Sequence, residues 1–179
     1  LENFINKCDY ILIGGAMMFP FYFALRKFKI KDKNIYKFNI DNKSIETAEM
    51  ILNKLEGSNT KMVLPDDIIS VDNINDQARL EVVSINEFNK KCYGVDIGYK
   101  TRNIYSKIIN NSNTILWNGP MGITEIDIFA TGTISLANTI SRLKKKDVLT
   151  IVGGGDSASI INKINLNEKF SHISTGGGA

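Results

Sequence analysis

The sequence predicts an α/β fold, a three-layer sandwich in which a mainly parallel sheet lies between helices. Short apolar runs rich in β-branched residues alternate with segments of helical periodicity, the pattern of a parallel sheet covered on both faces. Glycines cluster where several apolar runs end, as at Gly14–Gly15 and Gly153–Gly155. Because such folds bind ligands outside the carboxyl ends of the strands, these turns predict one shared site.

Composition excludes several function classes. Of the 179 residues, 43% are hydrophobic and 23% are charged, as in an ordinary globular domain. The net charge of +3 is too small to indicate a nucleic-acid partner, and no apolar run approaches the ~20 residues that span a membrane. No secretory signal is visible at the start of the sequence, so a cytoplasmic location is expected. Cys8, Cys92 and the single histidine, His172, predict no His- or Cys-based metal centre.

The first part of the chain forms a strand–glycine–helix unit. Tyr10–Ile13 is a short apolar run, Gly14–Gly15 follows it, and Ala16–Lys27 is apolar and helix-forming. Upstream of this unit, Leu1–Cys8 has apolar residues at helical spacing, which predicts a short helix.

The rest of the chain continues the alternation. Further strands are predicted at Lys61–Leu64, Ile68–Val71, Tyr93–Ile97, Thr114–Trp117, Val148–Val152 and His172–Ser174. Further helices are predicted from about Ile45 to Leu55, capped by Asp41 or Ser44, and at Thr101–Ile109, Phe129–Leu143 and Ala158–Ile164. The segment 72–89 is mostly polar and predicts no definite element.

The segment Val148–Ile160 carries the clearest functional signal. An apolar run leads into Gly153–Gly155, and Asp156 and Ser157 are good N-cap residues for the following helix. A strand, a glycine turn and a helix start together present backbone N–H groups to an anion, usually a phosphate. Because a carboxylate would repel a bare phosphate, Asp156 predicts that the site includes a cation, as when Mg²⁺ lies between a carboxylate and nucleotide phosphates.

Two other interpretations of this segment remain open. The glycine turn could simply be a tight corner that packs against its own sheet. The spacing Gly153-x-Gly155-x-x-Ala158 also fits the loose dinucleotide fingerprint of a nicotinamide-dependent dehydrogenase. That match is weak, because no clear ribose-binding acid follows on a second strand about 20 residues further on.

Three longer motifs resemble one enzyme family. Ile115–Gly122 reads ILWNGPMG and is followed by Glu125, Phe129-Ala130 and Gly132-Thr133; Thr150–Ser157 reads TIVGGGDS; Ser171–Ala179 reads SHISTGGGA. LIGG at 12–15, Leu64-Pro65 with Asp67, and GVDIG at 94–98 fit the same pattern. In order and spacing, these motifs resemble the carboxyl-terminal half of phosphoglycerate kinase along the whole chain.

The resemblance implies a fold and an activity. In the family, two Rossmann-like lobes face each other: the amino-terminal lobe holds the phosphoglycerate, and the other holds Mg-ATP or Mg-ADP. Residues 1–179 are therefore expected to be the nucleotide-binding lobe, incomplete at its amino-terminal strand. The implied reaction is reversible phosphoryl transfer from 1,3-bisphosphoglycerate to ADP, which gives 3-phosphoglycerate and ATP in glycolysis. The full-length enzyme is expected to be a monomer that uses Mg²⁺.

The resemblance also implies roles for residues around the phosphates. Asp156 is expected to hold Mg²⁺ on the nucleotide phosphates, which Gly154, Gly155 and the Ser157 amide are expected to cradle. The catalytic positions beside the transferred group are expected to be Gly155, Gly177 and Gly178.

The remaining implied roles concern the nucleoside. Asn118 and Pro120 are expected beside the phosphates and ribose, and Glu125 is expected to bond the ribose hydroxyls. The walls of the adenine slot are expected to be Gly14, Gly15, Gly94, Val95, Gly122 and Ile123. Other polar side chains have structural expectations: Asp66, Asp67, Asp96 and Asp127 cap helices or face solvent, and Trp117 lies in the core.

Several parts of the family lie outside residues 1–179. These are a glycine-and-lysine segment with the first strand, the phosphoglycerate lobe with its basic cluster and catalytic arginine, and the final carboxyl-terminal peptide. The sequence starts at Leu1 and stops after Gly176–Gly178, where a helix is expected to begin. It is therefore expected to be a fragment that is inactive alone. The alternative is a non-catalytic nucleotide-binding module derived from the same fold.

Overall fold

The computed structural model describes residues 1–25, 40–88, 92–143 and 148–174. Its strands are Tyr10–Leu12 (β1), Lys61–Val63 (β2), Asp67–Val71 (β3), Glu81–Ser84 (β4), Tyr93–Ile97 (β5), Thr114–Asn118 (β6), Leu149–Gly153 (β7) and His172–Ile173 (β8). Its α-helices are Met18–Ala24 (α1), Asn42–Leu55 (α2), Tyr99–Asn111 (α3), Thr131–Ser141 (α4) and Gly155–Lys163 (α5). Within these ranges no helix has the length and apolar character needed to cross a membrane.

The strands form two parallel sheets and one antiparallel sheet. β1 pairs with β2, and β7 lies between β6 and β8, all in parallel. β3 lies between β4 and β5 and is antiparallel to both. The predicted α/β class with mainly parallel strands is confirmed, but the strands predicted at 68–71 and 93–97 belong to the antiparallel sheet. For β3 and β4 the reason is the length of their connection. Residues 72–80 are fewer than the dozen or more that a parallel crossover needs, so these two strands pair in antiparallel.

The predicted cap is confirmed for one helix and corrected for another. Asp41 Oδ1 accepts a hydrogen bond from Ser44 N at 2.6 Å, so Asp41 is the cap of α2. Gly154 is the N-cap of α5, which places Asp156 and Ser157 in the first turn and corrects their predicted capping role.

The two amino-terminal helix predictions are met in part. In Leu1–Cys8 the structure has only a 3₁₀ turn, Glu2–Phe4, and the positive φ of 63° at Asn6 is incompatible with a continuing right-handed helix. The helix predicted at Ala16–Lys27 starts as a 3₁₀ turn and continues as α1, and its last two residues lie outside the described ranges.

Side chains from other elements position α3. The buried Asp67 carboxylate of β3 accepts hydrogen bonds from Lys100 N at 3.0 Å and Thr101 N at 2.8 Å, and so caps α3. The Tyr105 hydroxyl lies 2.5 Å from Ile13 O and 3.0 Å from Val63 O. The helix is therefore tied to the carboxyl ends of β1 and β2, the edge where ligands bind in parallel α/β folds.

Trp117 is buried, as expected, in the hydrophobic cluster that joins α3, α4 and α5 to β6 and β7. Asp66 and Asp127 are exposed, as expected, and pair with Lys100 and Lys163. These two exposed pairs contribute little to folding because water screens them.

Candidate functional site

The loop Asn118–Ile123, which we call the β6 loop, is fixed by hydrogen bonds to four other elements. Gly119 N donates to Ser157 Oγ of α5 at 3.0 Å, and Met121 N donates to Thr133 Oγ1 of α4 at 3.0 Å. Ile123 N donates to Val95 O of β5 at 2.9 Å. Met121 O accepts a hydrogen bond from Gly15 N at 3.0 Å. Inside the loop, Trp117 Nε1 donates to Gly119 O at 2.8 Å. The β6 loop therefore connects glycine turns that are far apart in the sequence.

The structure brings together candidates from four predicted segments. Gly14 and Gly15 adjoin Met121 and Pro120, Val95 adjoins Gly122 and Ile123, and Gly154 adjoins Asn118. Gly94 lies inside β5 and not at a strand end, and a Cβ there would lie 2.9 Å from Phe19 Cζ. It is therefore a packing position, and its role as an adenine wall stays a prediction.

The start of α5 has the features of an anion site. Gly154 has a φ of +89°, a conformation that favours glycine, and it turns the chain from β7 into the helix. The first intrahelical hydrogen bond runs from Ala158 N to Gly154 O at 3.1 Å, so the amides of Gly155, Asp156 and Ser157 precede it. Such amides and the helix dipole attract negative charge.

Asp156 and Ser157 face different surroundings within that turn. Asp156 is exposed, and Ser157 is 0% exposed with its hydroxyl bonded to the β6 loop. Among the described residues, no group of three His, Cys, Asp or Glu side chains is arranged to hold a metal.

Two other predicted site residues lie within the β6 loop or directly after it, and two lie outside the described ranges. Glu125 is exposed on the segment that follows the β6 loop, and Pro120 is half-buried within the loop. Gly177 and Gly178 lie beyond residue 174. The chain leaves β8 beside the end of β7, because Ser174 N donates to Val152 O at 2.8 Å.

Asp96, which the sequence predicts to cap a helix or to face solvent, is buried beside the β6 loop. It is 1% exposed in β5, where Oδ1 accepts from Ile97 N at 2.8 Å and Oδ2 accepts from Gly132 N at 2.5 Å. It therefore caps α4 from a neighbouring strand. Burial raises the pKa of Asp96 to about 7, although the Gly132 and Ile97 amides and Arg102 act in the opposite direction. The one signal in the sequence is a carboxylate within an otherwise apolar strand.

This raised pKa predicts a pH-dependent stability. In the unfolded chain the pKa of Asp is about 3.9, so the folded protein binds the proton more tightly. The contribution of protonated Asp96 to the free energy of unfolding is fully present below the unfolded pKa. It falls as the pH rises to about 7 and does not change at higher pH. We expect the free energy of unfolding to fall by up to about 4 kcal/mol relative to Asp96→Asn over this range. Urea denaturation at fixed ionic strength measures it, and a pH-independent difference between the two proteins would contradict the prediction.

A separate depression of about 390 Å³ lies elsewhere, with Tyr22, Leu52 and Lys100 among its lining residues. It shares no residue with the candidate site. We assign no function to it.

Comparisons with known proteins agree on one family. The family model described as phosphoglycerate kinase matches residues 1–179. Phosphoglycerate kinases of Prochlorococcus marinus (strain MIT 9211) and Chlorobium chlorochromatii (strain CaD3) are 38% and 42% identical to the whole chain, which covers 43% and 44% of their lengths. The chain thus spans less than half of these relatives.

Solved structures give the same result. The phosphoglycerate kinase of Coxiella burnetii is similar with a TM-score of 0.87 and 31% identity, over 99% of this chain and 44% of that one. The enzyme of Pyrococcus horikoshii OT3 is similar with a TM-score of 0.72 and 26% identity, over 96% of this chain and 41% of that one. These matches favour the kinase over the dehydrogenase alternative.

Proposed function

Because this chain belongs to the phosphoglycerate kinase family, we propose that it supplies the Mg-nucleotide site of an enzyme that interconverts 1,3-bisphosphoglycerate plus ADP and 3-phosphoglycerate plus ATP. The observation that carries this proposal is the β6 loop, which lies beside the first turn of α5 and is bonded to it through Ser157. A nucleotide could then contact the loop with its base and ribose and the helix start with its phosphates.

Different residues of the chain would contact different parts of the nucleotide. The amides of Gly155, Asp156 and Ser157 would bind phosphate oxygens at the positive end of α5. Asp156 would hold Mg²⁺, which would neutralise negative charge on the phosphates. Asn118 and Pro120 would contact the phosphates and ribose, Glu125 the ribose hydroxyls. The adenine would lie between walls formed by Gly14, Gly15, Gly94, Val95, Gly122 and Ile123.

The proposed reaction needs no covalent enzyme intermediate. An oxygen of the ADP β-phosphate forms a bond to the phosphorus of the acyl phosphate, the bond from that phosphorus to the carboxyl oxygen breaks, and 3-phosphoglycerate leaves as a carboxylate. Alignment and charge stabilisation account for most of the catalysis in such transfers. Gly155, Gly177 and Gly178 would lie beside the transferred group.

The rest of the enzyme would come from sequence that the chain does not cover. We propose that residues 1–179 are the nucleotide-binding lobe, and that a second lobe with the phosphoglycerate site completes a monomeric, cytoplasmic enzyme of glycolysis. The share of the relatives that the chain matches, 43% to 44%, is consistent with one lobe of two.

Calorimetric titration of the chain tests this proposal. We expect Mg-ADP to bind saturably, ADP without Mg²⁺ to bind more weakly, and NADH not to bind. Circular dichroism at the same concentration serves as the folding control. Tighter binding of NADH than of Mg-ADP, or no nucleotide binding by a folded sample, would overturn the assignment of the nucleotide site to this chain.

A further inference from the structure

We propose that Asp96 and Thr133 are positioning residues for nucleotide recognition, which clamp the segment Met121–Ile123 between β5 and α4. Neither residue is expected to touch the nucleotide. Their effect would be to fix the wall that faces the base. This inference rests on the proposed function above.

Asp96 holds two elements at fixed separation. Its two oxygens accept from different amides, Ile97 N in its own strand at 2.8 Å and Gly132 N at the start of α4 at 2.5 Å. The β6 loop then packs directly on this carboxylate, because a Cβ on Gly122 would lie only 2.5 Å from Asp96 Oδ1. Movement of Asp96 would therefore displace both the start of α4 and Gly122.

Thr133 makes the second half of the clamp. It follows Gly132 in the first turn of α4, is 0% exposed, and accepts a hydrogen bond from Met121 N at 3.0 Å through Oγ1. The same helical turn thus contacts Asp96 through one residue and the β6 loop through the next. The position of Met121 is thereby coupled to that of Gly122.

The base side and the phosphate side of the site are held by different contacts. Ile123 N pairs with Val95 O at 2.9 Å, so the wall Val95, Gly122 and Ile123 is aligned by the clamp. The phosphate side, the first turn of α5, meets the β6 loop through Gly119 N and Ser157 Oγ. Loosening the clamp should therefore weaken recognition of the nucleoside more than recognition of phosphate.

The test compares two ligands on four proteins. Mg-ADP and Mg-tripolyphosphate, which has no nucleoside, are titrated into the wild-type chain and into Asp96→Asn, Thr133→Val and Asp67→Asn. We expect Kd for Mg-ADP to rise about tenfold in the first two variants, which is about 1.4 kcal/mol, while Kd for Mg-tripolyphosphate stays within about twofold. Asp67→Asn is the matched control, since Asp67 is a buried carboxylate that caps α3 from β3. It should lower the urea midpoint but leave the ratio of the two Kd values unchanged.

The possible results separate the inference from the proposed function. Equal weakening of both ligands in Asp96→Asn and Thr133→Val, or no weakening of either, would overturn the clamp. The same selective loss in Asp67→Asn would also overturn it, because general loosening would then suffice. If Asp96→Asn does not fold, the nearly isosteric Thr133→Val decides alone. Failure of the wild-type chain to bind Mg-ADP would overturn the proposed function, and the inference with it.

Discussion

Replacement of Asp156 by alanine is expected to remove the Mg²⁺ dependence of ADP binding. Mg²⁺ prefers carboxylate and phosphate oxygens, and Asp156 is an exposed carboxylate in the first turn of α5. We expect Kd for Mg-ADP to rise at least about 100-fold, which is about 2.7 kcal/mol. The affinity for ADP without Mg²⁺ should stay the same or rise slightly, since a negative charge near the phosphates is lost. Calorimetric titration with and without Mg²⁺ measures both.

Asp127 provides the matched control for this substitution. It is also an exposed carboxylate, and it pairs with Lys163 at the far end of α5. Asp127→Ala should therefore leave the strengthening of ADP binding by Mg²⁺ intact. If Asp156→Ala retained that strengthening while the protein stayed folded, the metal would have to be held elsewhere, and the role proposed for Asp156 would be wrong.

The parts of the fold that were predicted correctly depend on local signals. Asp41 precedes an amphipathic segment and caps α2, and the apolar runs before Asn118 and Gly153 are parallel strands. The antiparallel pairing of β3 with β4 and β5 was missed. An apolar run such as Ile68–Val71 shows that a strand is buried, but the run itself does not specify the direction of its neighbours.

The candidate site shows the same division between local and tertiary information. The glycine turns and Asp156 stand out because they lie next to each other in sequence. The roles of Thr133, Ser157 and Asp96 depend on side chains that meet residues at least 12 positions away. A carboxylate in an apolar strand signals a buried partner, but periodicity does not indicate which helix supplies the amide.

The largest expected effect concerns turnover. Residues 1–179 alone are expected to show no phosphoglycerate-dependent consumption of ATP, although we expect them to bind the nucleotide. Enzymes gain effective molarities of about 10⁵–10⁸ M by holding two reactants in line, and we propose that the phosphoglycerate is held by the lobe that this chain does not cover. A coupled assay on the purified chain measures the reaction, and turnover by the chain alone would contradict this division of the substrates.

The complementary prediction is that a chimera with both lobes is active. Residues 1–179 replace the matching part of the Chlorobium chlorochromatii kinase, to which they are 42% identical. We expect this chimera to consume ATP in the presence of 3-phosphoglycerate, and the chimera with Asp127→Ala to do the same. With Asp156→Ala the rate at fixed Mg-ATP should fall at least about 1,000-fold, or about 4 kcal/mol, because positioning and charge stabilisation are both lost. A folded chimera that binds both substrates but has no activity would show that this chain does not supply a catalytically competent nucleotide lobe.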